Sequence, residues 1–151
     1  MMRRRWVLPL VSIIPILAIA FAFSLGPSPR KHLQVIYQAE QADPTKLDEL
    51  AGLGEPLFQA LTEDVQQPDT PHRPALIHFL GRRKYAPSAP VLRRLASVPL
   101  EPAAVRVAAF SALKQIDPKG VRDLAQSLRE EAGPLGKAAR KMLAELSSDQ
   151  S

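Results

Sequence analysis

The sequence predicts an all-α protein: a short stack of about three helical hairpins behind one N-terminal hydrophobic segment. Three features carry that prediction. Prolines recur at a nearly fixed interval, apolar stripes at helical spacing lie between them, and a basic–alanine–apolar pattern returns once for every two helices. No stretch alternates apolar and polar residues long enough to argue a strand.

The first element is the uncharged run Trp6–Leu25, 20 residues rich in Val, Ile, Leu, Ala and Phe. As a helix it would reach about 30 Å, the hydrocarbon thickness of a bilayer. Arg3, Arg4 and Arg5 flank it on one side and Arg30 and Lys31, more weakly, on the other. The positive-inside bias then puts the N-terminus in the cytoplasm and the remainder across the membrane, periplasmic or extracellular. A cleaved signal peptide is the competing reading, with Ala20-Phe21-Ala22 as its cleavage site; the product would then be secreted. The run exceeds the usual h-region of roughly 7–15 residues, which favours a retained anchor. Residues 1–25 are therefore assigned as anchor or signal, 26–43 as linker with a possible first helix, and 44–151 as the repeat domain. Gly26-Pro27-Ser28-Pro29 reads as a short, stiff exit from the membrane.

Downstream, Pro56, Pro71, Pro87, Pro102, Pro118 and Pro134 are separated by 15, 16, 15, 16 and 16 residues. Proline fits the first turn of a helix and breaks its interior, so each marks a helix start. Pro68, Pro74, Pro90 and Pro99 thicken the same junctions. After Pro118, Val121, Leu124, Ala125 and Leu128 follow i, i+3, i+4, i+7; after Pro134, Leu135, Ala138, Ala139, Met142, Leu143 and Leu146 do the same. Each is an amphipathic helix with one buried stripe. Asp43 before Pro44 and Asp117 before Pro118 are natural N-caps.

The second repeat signal is independent of proline. Arg73, Arg106 and Lys137 each precede alanine at +2 and an apolar pair at +6 and +7: Phe79-Leu80, Ala112-Leu113 and Leu143-Ala144. This pattern resembles the HEAT-like repeat family, in particular the short-repeat variety first noted in phycobilisome lyases. The likeness is carried by Arg73–Leu80 followed by Gly81, by Val105–Ile116 with its Val-Arg-x-Ala-Ala core, and by Gly136–Leu146, and it covers about residues 55–147. It departs from the tidier members in its proline content and in its first unit, where residues 31–54 have no assigned register. The resemblance implies an α-solenoid that binds protein along one face, usually that of the second helix of each pair.

Composition narrows the function classes. The net charge is +5, but residues 1–30 hold four arginines and no acid, so residues 31–151 carry only +1. A high pI earned by the leader is no argument for nucleic-acid binding. Within the remainder, residues 31–70 hold two basic residues against eight acids, and residues 71–151 hold 14 against seven. The densest basic feature, Arg82-Arg83-Lys84 with Arg93 and Arg94, could dock an acidic partner, a phosphate-bearing polymer or a lipid headgroup. Tyr85 sits at the turn between two helices, where an exposed ring would make a contact hot spot and a buried one a core residue. There is no cysteine, hence no disulfide, thiol nucleophile or lipoprotein anchor.

His72 and His78 are six residues apart, which is not the i, i+4 spacing of a helical metal pair, so no metal is expected. Glu130 and Glu131 are adjacent and diverge, Gly52-Leu53-Gly54 reads as a turn, and no nucleophile elbow, Walker A or Rossmann fingerprint occurs. No catalytic residue, cofactor or small-molecule substrate is therefore expected. The sequence favours an exported, membrane-anchored scaffold or adaptor for a protein partner in the cell envelope. A phycobilisome-lyase-like accessory protein and a polyanion-binding repeat protein stand as alternatives; nucleic acid is the least favoured partner.

Overall fold

A computed structural model describes residues 28–148; the Trp6–Leu25 segment lies outside them. Among the described residues no helix is long and apolar enough to cross a membrane. The described chain is all-helical, as the sequence predicts. Its α-helices are α1 (Pro29–Tyr37), α2 (Pro44–Leu50), α3 (Glu55–Asp64), α4 (Arg73–Arg82), α5 (Ala89–Ser97), α6 (Ala103–Ile116), α7 (Val121–Leu128) and α8 (Pro134–Ser148), with 3₁₀ turns at Ala51–Leu53 and Ala86–Ser88.

Proline does open the helices, although the residues in the first turn are not all those of the even ruler. Pro29, Pro44, Pro56, Pro74 and Pro90 stand at the first or second helical position, and Pro134 begins α8. Pro102 is the N-cap of α6. Asp43 caps α2, its carboxylate accepting from the Thr45 N–H at 2.9 Å. Asp117 instead caps the turn before α7, accepting from Gly120 N–H at 2.8 Å, so that helix opens at Val121 rather than at Pro118.

Three hairpins follow one another: α3/α4, α5/α6 and α7/α8. Their second helices stack, α4 on α6 and α6 on α8, while α5 lies against both α6 and α7. The α7 stripe read from sequence is buried throughout (Val121, Leu124, Ala125 and Leu128), whereas on α8 Leu135, Ala139 and Met142 are buried and Ala138, Leu143 and Leu146 are only partly so. Phe79 and Phe110, on successive second helices, are the largest fully buried side chains.

Residues 29–53 extend the same core toward the N-terminus. α2 touches α4 on the side away from α6, in a much slighter contact than that of α4 with α6. α1 has nine residues, too few to persist alone. Leu33 and Ile36 hold it to the core, each contributing about 1.5–3 kcal/mol by burial. Arg30 and Tyr37, near opposite ends of α1, both reach the last turn of α3, at Glu63 and Asp64. α1 therefore lies across α3 rather than along it.

The closest approach of two helices fixes one residue type. A Cβ on Gly81 would stand 2.8 Å from both Cα and Cβ of Ala112, so α4 and α6 touch backbone to backbone there. Gly81→Ala forces these helices apart, and overpacking of this kind costs about 1–3 kcal/mol. The expected outcome is a lower urea midpoint with an unchanged slope, read by circular dichroism.

Candidate interaction surface

The Arg82–Lys84 cluster ends α4. The Tyr85 N–H donates to Leu80 O at 3.1 Å and the Lys84 N–H to Gly81 O at 2.9 Å, which closes the helix as a Schellman motif. Glycine usually occupies the left-handed position of that motif, and here Lys84 does, at φ 49°. Lys84 projects into solvent, while Arg82 and Arg83 turn back toward α2 and share Asp48 Oδ1 at 3.3 and 2.9 Å. Their guanidinium carbons also stand 5.9 and 5.4 Å from the Phe79 ring centroid, within cation–π range.

Tyr85 resolves the choice that the sequence left open: it is buried, 9% exposed. Its ring stacks on Phe58 at 5.2 Å, and Phe58 in turn on Phe79 at 6.0 Å. Its hydroxyl donates to Glu55 Oε1 at 2.5 Å. Burial first, then the hydrogen bond to the Glu55 carboxylate and its charge, push the phenol up to about 12. Tyr85 therefore shapes the turn that carries Lys84 and offers no ring to a partner.

Arg93 and Arg94 do not extend this patch. Arg93 reaches forward to Gly120 O at 2.7 Å, and Arg94 reaches back to Gln66 Oε1 at 2.7 Å. The five cations of the sequence cluster thus point four ways, with Arg82 and Arg83 partly neutralised by one carboxylate.

The residues that do most to join the hairpins were visible in the sequence only as a repeat. Arg73 and Arg106 are buried, 4% and 9% exposed, and make the same set of bonds. Each Nε donates to a carbonyl at the end of the first helix of its own hairpin: Arg73 to Val65 O and Arg106 to Ala96 O, both 3.0 Å. Each fork then grips a carboxylate in the inter-helix loop of the next hairpin. Arg73 holds Glu101 at 2.9 and 3.1 Å, and Arg106 holds Glu131 at 2.8 Å twice. Glu130 diverges to Arg129, as its adjacency to Glu131 predicts. Gly136 makes the second fork possible, because a Cβ there would lie 1.9 Å from Glu131 O and displace the loop. Lys137, the third basic residue of the pattern, is exposed.

The stacked second helices leave two shallow grooves. One, between α2 and α4, is lined by Pro44, Leu47, Ala75, His78 and Arg82. The other, between α6 and α8, is lined by Phe110, Ser111, Lys114, Gln115, Lys141 and Met142, among others, and the Lys114–Glu145 ion pair joins its walls. The close contact at Gly81 and Ala112 packs the α4/α6 joint between them.

His72 and His78 part company: His72 Nε2–H donates to Ala39 O at 2.9 Å, and His78 is exposed. Among the described residues no group of three or more His, Asp or Glu could hold a metal ion. Comparison with family models, with curated proteins and with solved structures finds no match for the chain.

Three outcomes follow from this geometry. Arg106→Lys supplies a point charge that cannot serve one carbonyl and two carboxylate oxygens together. With Glu131 about one-third exposed, its cost is expected at about 2–4 kcal/mol, below that of breaking a fully buried pair. The hydrogen bonds from Arg106 hold the Glu131 carboxyl below its ordinary value of 4.5, against an opposing effect of burial. A carboxyl that releases its proton more readily when folded stabilises the fold above its ordinary pKa, and that contribution fades as pH falls through the lowered value. Thermal melts below pH 4.5 should therefore decline more steeply for the native chain than for Glu131→Gln. Separately, Lys84→Gly relieves the left-handed backbone and should raise stability by about 0.5–1 kcal/mol in the same melts.

Proposed function

We propose that this chain is a membrane-anchored, exported scaffold: a short HEAT-like α-solenoid, held by the Trp6–Leu25 segment, that presents its second-helix face to a protein partner in the cell envelope. The observation that carries this reading is the stacking of α2, α4, α6 and α8 side by side. Such stacking gives an extended ridged surface with grooves at two of its joints. Stacked repeats characteristically offer binding surfaces of this kind.

The lysine-bearing turn at Arg82–Lys84 stands at the C-terminal end of α4, while Arg93 and Arg94 on α5 are engaged away from it, with Gly120 O and Gln66. In this reading Lys84 is the contact cation, Arg82 and Arg83 contribute from the Asp48 pair, and Tyr85 supports the turn from beneath. A shared Asp48 and engaged Arg93 and Arg94 leave little of the cluster to grip a phosphate backbone. That favours a protein partner over a polyanion. The part played by the repeat is binding, with no assigned catalytic group or cofactor.

The reading is tested by fractionating cells that express the full chain. The protein is expected in the membrane fraction after alkaline carbonate, with the repeat domain open to protease from the outer side. Recovery as a soluble cytoplasmic protein would contradict the proposal, as would strongly salt-dependent binding to duplex DNA.

A further inference from the structure

In residues 31–70, the acidic part of the chain, Lys31 and Lys46 are the only lysine or arginine side chains. Lys46 lines a shallow groove between α1 and α2 together with His32, Val35, Ile36, Glu49 and Leu50. Lys31 lies one turn before Val35 on α1, so the two share a side of that helix. Val35 is 57% exposed and, with Leu100, is one of the two large apolar side chains left open to solvent among the described residues. The opposite side of α1 is spent on the core through Leu33 and Ile36. α1 thus turns outward a solvent-exposed apolar side chain ringed by the local cations, with Glu49 the acid at the groove.

The chain says what lies beside that face. α1 opens at Pro29, and the uncharged run ends at Leu25. Residues 26–28 span at most about 11 Å fully extended. A bilayer of about 40–45 Å with a hydrocarbon core of about 30 Å has a headgroup layer of about 5–7.5 Å on each side, so the tether keeps the start of α1 within several ångström of the bilayer surface. A helix tethered so closely, with one exposed valine beside a lysine on its free side and a second lysine across the groove, has the elements of a weak interfacial contact.

We infer that the Lys31, His32 and Val35 face of α1, with Lys46 of α2, lies on the bilayer surface. Val35 enters the headgroup boundary and the lysines meet anionic lipid phosphates. This contact fixes how the repeat stack stands on the membrane. It rests on the reading of Trp6–Leu25 as a retained anchor.

The absence of cysteine permits a clean test. Val35→Cys in the full chain is labelled with an environment-sensitive fluorophore and reconstituted into phosphatidylcholine/phosphatidylglycerol vesicles that carry a headgroup nitroxide lipid. Ala144→Cys, exposed on α8 at the far end of the stack, serves as the reference. The expected result is quenching at position 35 roughly twofold or more above that at 144. Lys31→Glu with Lys46→Glu, or vesicles of phosphatidylcholine alone, should reduce that difference while the protein stays with the vesicles through carbonate. Equal quenching at both positions in vesicle-bound protein overturns the inference and leaves the anchor standing. Release of the chain by carbonate overturns both. Shielding of the position 35 label that persists in detergent puts another part of the protein, or a second copy, on this face and also overturns it.

Discussion

Two buried guanidinium groups set the joints on which the rest of the fold depends. Burying a charge is costly unless its polar atoms are hydrogen-bonded and the charge is balanced. In Arg73 and Arg106 each guanidinium nitrogen has a partner and each fork meets a carboxylate. One nitrogen ties the two helices of a hairpin together by way of a backbone carbonyl, and the other two nitrogens tie that hairpin to the loop of the next. Apolar burial drives the helices together without specifying their register. A planar fork with fixed donor directions specifies it, because a slip by one residue would leave a buried cation and a buried carbonyl unmatched. The core then only has to fill the space that the forks define: Phe79 and Phe110 on neighbouring second helices, and Gly81 where α4 and α6 meet.

The same polar economy runs along much of the chain. Tyr37 bonds Asp64, Tyr85 bonds Glu55, His72 bonds Ala39 O, and Lys114 pairs with Glu145, each linking residues about one repeat apart. No buried side-chain nitrogen or oxygen among the described residues lacks a hydrogen-bond partner. Cross-links of this kind between neighbouring hairpins restrict how far they can shift against one another. At the N-terminal end of the described residues, α1 departs from the regular array by crossing α3, which leaves one of its sides exposed.

Much of the helical architecture was legible in the sequence because proline and helical periodicity are local signals. The stripes on α7 and α8 and the turn at Gly52–Gly54 depend only on neighbouring residues, and they lie where the pattern puts them. The start of α7 shifted because the Asp117 carboxylate closes a turn of its own before the helix begins. The site was less legible. The repeated basic residue at positions 73 and 106 was seen, but its role needs a partner 28 or 25 residues away. No local pattern announces Glu101 or Glu131. In the same way, sequence adjacency made Arg82–Arg94 look like one patch, whereas the turn after α4 and the reversal into α5 send its members in different directions. Tyr85 could be read either way until Glu55 and Phe58 were placed around it.

The central claim is that the forks, rather than apolar contact alone, hold each hairpin to the next. Hydrogen exchange read helix by helix on the Arg73→Lys protein tests it most directly, because lysine keeps the charge and loses the fork. The account expects faster exchange on both sides of that joint, in α3 and α4 and in the loop bearing Glu101, with α7 and α8 little affected. Protection unchanged across the α4/α6 joint would contradict it.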